Sequence, residues 1–269
     1  MRDILLCLTF SCLTSFAETN SIPLIIAHRG ASEDAPENTL AAFRLAWEQG
    51  ADGIEGDFFL SSDGKVVCIH DKNTKKISDG NLDVTKSTLM QLRQLDYGSW
   101  KNAKFKNEPI PTLEEVLDAI PANKWFFLEI KDSPRIVEPI AKILREKSAN
   151  TSHTVLISFN AEVIKACRKQ LPEYRACLLS SLKKFSKQGS AEKYLADVRA
   201  SNAQGLFYKE SPEIPKKWLE QARGEGGLLA TWTVNQLEPA IRATQHGVDF
   251  LITDRPAGLR KELESAPRR

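Results

Sequence analysis

From residue 24 onward, short apolar runs alternate with amphipathic helical stretches, and this rhythm narrows the possible folds more than any other feature. The runs that read as strands are Leu24–His28, Gly53–Leu60, Val66–His70, Trp125–Lys131, Thr154–Ser158, Arg175–Leu179, Gly205–Tyr208, Leu228–Thr233 and Asp249–Thr253. Helical patterns cover Thr39–Gln49, Leu113–Ala119, Ile136–Glu146, Ala161–Gln170, Ala191–Ala200, Pro215–Arg223 and Gln236–His246, with a last one near Gly258–Glu264. Strand–helix alternation implies a parallel sheet, because parallel neighbours need a crossover long enough to hold a helix. Nine strands are one too many for an eightfold barrel, and the surplus lies where no helix intervenes, between Gly53–Leu60 and Val66–His70. Those two read as a hairpin. Asp63-Gly64 suits a two-residue type I′ turn, which sets a register in which paired residue numbers add to 127 and Asp57 faces His70. Without the hairpin arm eight parallel strands remain. The expected fold is α/β, a (β/α)8 TIM barrel with a β-hairpin extension of strand 2.

Length and charge agree with that frame. The chain has 269 residues, 42% of them apolar, and 37 Lys+Arg against 35 Asp+Glu, so disorder and a polyanion-binding surface are both excluded. Ile4–Phe16 is an uncharged apolar run of 13 residues, short of the roughly 20 that span a bilayer. With small residues at Ser15 and Ala17 it reads as a signal peptide cut after Ala17, which implies a secreted or periplasmic protein with no stable membrane insertion. Residues 18–269 then form the barrel, with a small insertion subdomain at about 72–111, a polar stretch carrying one short helix at Thr88–Leu95. Cys68, Cys167 and Cys177 lie in apolar stretches and read as core residues, although an oxidising compartment would allow a Cys167–Cys177 disulfide.

In such a barrel, chemistry sits at the C-terminal ends of the strands. The first strand ends in His28-Arg29-Gly30, the second in Glu55-Gly56-Asp57 and the third in Glu129-Ile130-Lys131, while the seventh carries Trp232. Residues two apart share a face, so Glu55 and Asp57 converge with His70 from the hairpin partner. Three carboxylates on one rim repel one another unless a cation joins them. Glu55, Asp57 and Glu129 offer only oxygen, which suits one hard divalent ion, Mg²⁺ or Ca²⁺. Counting that ion with Arg29 and Lys131, the site carries +1, a match for the single negative charge of a phosphodiester, with Arg29 able to bind it bidentately and Lys131 acting as a point charge. His28 and His70 can serve as base and acid. His153 and His246 fall on a loop and at a helix end and read as structural.

The segments AHRGASEDAPENTLAAFRLAWEQGADGIEGDFFLSSDGKVVCIHD at 27–71, LEIK at 128–131, TWTVN at 231–235 and TDRP at 253–256 resemble the glycerophosphodiester phosphodiesterase family, within the phosphoinositide-phospholipase-C-like superfamily. The resemblance implies metal-dependent hydrolysis of a small-molecule glycerophosphodiester to sn-glycerol 3-phosphate and an alcohol such as choline, ethanolamine or glycerol. It also implies that Glu55, Asp57 and Glu129 match metal ligands, His28 and His70 the general acid–base pair, and Arg29 and Lys131 phosphate contacts. Glu37 and Trp232 match residues lining the substrate. Two other readings keep the barrel. One is release of a lysophospholipid head group, which needs an apolar groove to which Phe58, Phe59, Trp100 and Phe105 could contribute; the other is a non-catalytic phosphodiester-binding barrel.

Overall fold

The computed structural model describes residues 22–181, 190–224 and 226–267. The expected signal peptide, residues 1–17, lies outside them. Strands are β1 (Leu24–His28), β2 (Gly53–Leu60), β3 (Val66–Cys68), β4 (Trp125–Ile130), β5 (Thr154–Ser158), β6 (Arg175–Ser180), β7 (Gly205–Lys209), β8 (Leu228–Trp232) and β9 (Phe250–Thr253). Helices are α1 (Leu40–Glu48), α2 (Leu89–Leu92), α3 (Leu113–Asp118), α4 (Val137–Glu146), α5 (Ala161–Gln170), α6 (Ser190–Ser201), α7 (Lys216–Arg223), α8 (Leu237–Gln245) and α9 (Pro256–Ser265). Local chemistry sets the helix starts: Thr39 accepts from Ala42 N–H, Asn160 accepts from Glu162 N–H, and Thr112 and Glu115 form a reciprocal capping box. The longer helices pack apolar stripes into the outer core, as α4 does with Val137, Ile140, Ala141 and Leu144.

Eight parallel strands close on themselves in the order β1-β2-β4-β5-β6-β7-β8-β9, with β9 returning to β1. The expected TIM barrel is therefore the fold, and β3 is the one extra strand, bonded antiparallel to β2. Alternation along the strands makes two cores. Outward residues such as Ile54, Phe58, Phe126, Leu128 and Leu206 pack under the helices. Inward residues, among them Ile26, Phe127, Phe207, Ala230 and Phe250, fill the barrel, and Phe127 meets the rings of Phe250 and Phe207 at 5.0 and 4.9 Å. Truncating a buried ring such as Phe127 to Ala would cost about 3–5 kcal/mol. Above this plug the inward positions turn polar, and that change marks the floor of the site.

The hairpin register differs from expectation. Phe58 pairs with Cys68 and Leu60 with Val66, so paired numbers add to 126, one less than a two-residue turn requires. Gly64 N–H donates to Ser61 O (3.1 Å) and Ser61 N–H to Lys65 O (2.8 Å), which closes a three-residue loop with Gly64 in the left-handed region at φ +78°. Asp63, which a type I′ turn would place at positive φ, is not among the positive-φ residues; its carboxylate instead accepts from Ser61 Oγ (2.6 Å) and Leu89 N–H (3.0 Å). The residue opposite Asp57 is thus Ile69, whose N–H donates to Asp57 O at 2.8 Å. β3 also ends at Cys68, short of His70.

Segment 72–111 contains single-turn elements: 3-10 helices at Thr74–Lys76, Val84–Lys86 and Ala103–Phe105, and α2, which is shorter than the stretch expected at Thr88–Leu95. Ile77, Val84, Leu92, Tyr97 and Ile110 pack on Phe59, Val67 and Ile69 as a third cluster. Lys101 Nζ donates to Ser32 O (2.8 Å) and Glu108 Oε1 accepts from Ala41 N–H (3.0 Å), tying the segment to the chain after β1. Cys68, Cys167 and Cys177 are free and buried; Cys167 packs in the outer core and Cys177 inside the barrel, so no disulfide joins them.

Candidate active site

Parallel pairing brings the acids together. His28 is opposite Glu55 across β1 and β2, and Asp57 is opposite Glu129 across β2 and β4, all on the inward face. Oxygen atoms of Glu55, Asp57 and Glu129 lie within 4.8 Å of one another, and all three residues are buried. Two cations flank them. Arg29, at φ +57°, donates its backbone N–H to Glu55 Oε2 (3.0 Å) and its Nη1 to Glu37 Oε1 (2.8 Å), with Nε 3.3 Å from Asp57 Oδ2. Lys131 Nζ donates to Glu129 Oε1 (2.8 Å) and stands 3.5 Å from Asp57 Oδ1. Asn38 clamps Asp57 twice, donating Nδ2 to Oδ2 (2.9 Å) and accepting Asp57 N–H (3.1 Å), while Cys68 Sγ donates to the same Asn38 oxygen.

These surroundings split the carboxylates. Burial alone would push Asp57 up, yet Arg29, Lys131, His70 and the Asn38 bond together hold it below the ordinary carboxylate value. Burial and the neighbouring Asp57 push Glu129 up to about 7, and burial with Asp57 and Glu129 pushes Glu55 well above its ordinary value. Three acids face two cations, an imbalance that the metal-free site relieves by holding protons on the raised carboxyls. Glu55 Oε1 is also buried without a hydrogen-bond partner. An orphaned carboxylate oxygen among three converging oxygen donors fits a hard divalent cation.

The two histidines are held alike. His28 Nδ1 is 2.6 Å from Asp254 Oδ1, and Asp254 also accepts from Ser32 Oγ (2.9 Å) and Asn235 Nδ2 (2.6 Å). Burial would raise Asp254, but its bonds from His28, Asn235 and Ser32 bring it down to about 2. His70 Nδ1 is 2.6 Å from Asp71 Oδ1. A carboxylate only accepts, so each Nδ1 carries the proton and each Nε2 is left for chemistry. Burial and the charges of Arg29 and Lys131 lower His70, against the pull of Asp57, so His70 lies within electrostatic reach of Asp57 although the ladder does not pair them.

Glu37 pairs with Arg29, and Trp232 sits at the end of β8 with its indole Nε1–H buried and unpartnered. A cleft of about 260 Å³ on the rim is lined by Glu37 together with His28, Arg29, Trp100, Lys101 and Asp254. Phe58 and Phe59 are buried in the cores and cannot line a groove; of the aromatic residues considered for one, Trp100 reaches the cleft. His153 packs against Trp125 in the barrel, with ring centroids 4.9 Å apart, and His246 caps α8, both away from the cleft. Sequence reasoning missed Asp254, Asn235, Asn38 and Asp71. Inward parity running on from Ile252 could have flagged Asp254.

The sequence model of the glycerophosphoryl diester phosphodiesterase family matches residues 28–258, a span that holds every group described above. The chain belongs to this family. Membership makes it a hydrolase of the phosphodiesterase class. It is 35% identical to a glycerophosphodiester phosphodiesterase of Caldanaerobacter subterraneus over 244 residues, covering 88% of this chain and 96% of the relative. Human glycerophosphodiester phosphodiesterase 1 is 37% identical over 260 residues, covering 85% and 77%. A phosphodiesterase of Oleispira antarctica, solved in complex with the product sn-glycerol-3-phosphate, superposes with a TM-score of 0.80 at 27% identity, covering 91% of this chain and 98% of that one.

Proposed function

We propose that this family member hydrolyses glycerophosphodiesters to sn-glycerol 3-phosphate and an alcohol, with Glu55, Asp57 and Glu129 holding one Mg²⁺ or Ca²⁺ ion. The observation that carries this reading is three buried carboxylates within 4.8 Å of one another, flanked by Arg29 and Lys131 and accompanied by two carboxylate-held histidines. The glycerol 3-phosphate complex of the Oleispira relative supports the product. When bound, the ion supplies Lewis-acid stabilisation to the phosphoryl oxygens and offsets the repulsion among its ligands. Arg29 and Lys131 bind the phosphate, with Glu37 fixing the guanidinium through its Nη1 bond. One of His28 and His70 takes a proton from the attacking oxygen through Nε2 as the new P–O bond forms. The other gives a proton to the departing alkoxide as the old P–O bond breaks. Glu37 and Trp232 line the substrate.

Product analysis on a panel of glycerophosphodiesters, with Mg²⁺ and Ca²⁺ supplied separately, tests the reading. Release of glycerol 3-phosphate together with the free alcohol supports it; turnover that survives loss of both His28 and His70 overturns the acid–base assignment. We also propose secretion or a periplasmic location, supported by the apolar run Ile4–Phe16 and the small residues around Ala17. Amino-terminal sequencing of the exported protein should begin at Glu18, and a cytoplasmic product starting at Met1 would refute export.

A further inference from the structure

We infer that Phe159 and Trp232 form the receptor for the leaving alcohol and that this receptor selects a trimethylammonium head group; the inference rests on the proposed hydrolysis of glycerophosphodiesters. Phe159 is the first residue beyond β5 and continues the inward parity of Val155 and Ile157. At that height it emerges from the plug and is 48% exposed. Its ring meets that of Trp232 at 5.6 Å and 85°, so two π surfaces form an open corner on the barrel rim. The Lys131 ammonium lies over the Phe159 ring, 5.8 Å from its centroid, so one of the phosphate-binding cations already meets this ring and a second cation would use the aromatic surface that Lys131 leaves open. The cleft lined by His28, Glu37, Trp100 and Lys101 is a separate feature of the rim, rich in charged groups and suited to a diol.

The chemistry of the corner discriminates among alcohols. Two aromatic rings offer no hydrogen-bond acceptor beyond their π faces, and the polar atom they contribute, Trp232 Nε1, is a donor without a partner. A primary ammonium needs acceptors for its three N–H bonds, and a glycerol arm needs partners for its hydroxyls. A trimethylammonium needs neither and is drawn to aromatic faces by the ring quadrupole. Reach agrees: four bonds separate phosphorus from nitrogen in a phosphocholine arm, so a phosphate held by Lys131 puts the cationic centre at most about 5 Å away, at the ring. Lys209, opposite Trp232 across β7 and β8, is a second cation nearby, but it is exposed and screened by water.

The test compares kcat/KM for glycerophosphocholine and glycerophosphoglycerol in wild type, Phe159→Leu and Phe159→Tyr. Leu has no ring; Tyr keeps it. The choline-to-glycerol ratio should fall about fivefold to tenfold in Phe159→Leu, through KM, and return to within about twofold of wild type in Phe159→Tyr. A ratio unchanged in Phe159→Leu, or equal losses on both diesters, would overturn the inference. Calorimetric binding of phosphocholine against ethanolamine phosphate, neither of which has a diester to cleave, separates this from the proposed function. A phosphocholine preference present in wild type and lost in Phe159→Leu upholds the receptor even in a chain that cleaves neither diester. Absence of that preference in wild type refutes the receptor even where both diesters are cleaved.

Discussion

His28 and Asp254 are 226 positions apart in the chain and 2.6 Å apart in the site, and the imidazole owes its tautomer to that contact. Asp254→Asn keeps the shape but can present an N–H where a carboxylate accepted. It should lower kcat about 100-fold or more with a smaller effect on KM and little on the melting temperature, as read by steady-state kinetics and thermal unfolding. An unchanged kcat would remove Asp254 from the machinery. The raised carboxylates make a second prediction. Glu129 is pushed from 4.5 up to about 7, so the folded metal-free chain keeps a proton that the unfolded chain releases between those values. Folding is then proton-binding in this window, and stability falls as pH rises from about 4.5 through about 7. His70, held below its ordinary value, has the opposite sign, so the measurement is best made as a difference. Denaturant unfolding without metal should show wild type losing stability relative to Glu129→Gln across that range, and parallel curves would refute it.

At the scale of elements, two glycines separate turn strain from steric conflict. Gly64, at φ +78°, has nothing within 4 Å of an added Cβ, so Gly64→Ala should cost about 1 kcal/mol from backbone conformation alone and leave turnover near wild type. Gly30, at φ +83°, would place a Cβ 2.6 Å from the backbone of α1 at Ala42. Gly30→Ala should therefore cost more than Gly64→Ala and lower kcat/KM as well, because the turn it closes aims Arg29; similar effects from the two changes would contradict this account. The hairpin was legible as a hairpin but not in register. An Asp-Gly pair supports more than one loop, and the carboxylate of Asp63 bonds to Leu89, 26 residues on, which no local turn preference contains. A slip of one residue moves a side chain to the other face. His70 still comes within reach of Asp57 because β3 stops at Cys68 and the following residues leave the ladder.

For the whole molecule, the proposed ion at the acid cluster would couple metal to both activity and stability. Chelation should abolish turnover, and restoring Mg²⁺ or Ca²⁺ at about 100 times its Kd should stabilise the fold by about 2.7 kcal/mol. Full activity in chelator with the ion removed would end the metal assignment. What the sequence determined by itself was periodic: strand and helix alternation specified the barrel, and twofold parity placed His28, Glu55, Asp57, Glu129 and Lys131 at inward strand ends, since both follow from local backbone geometry. Tertiary structure alone decided what those groups bond to. Barrel closure sets β9 beside β1 and so brings Asp254 to His28; the loop after β1 delivers Asn38 to Asp57; and the closed rim brings Phe159 from β5 against Trp232 from β8. Such contacts depend on chain closure over long sequence separations, which a period of two or 3.6 residues does not encode.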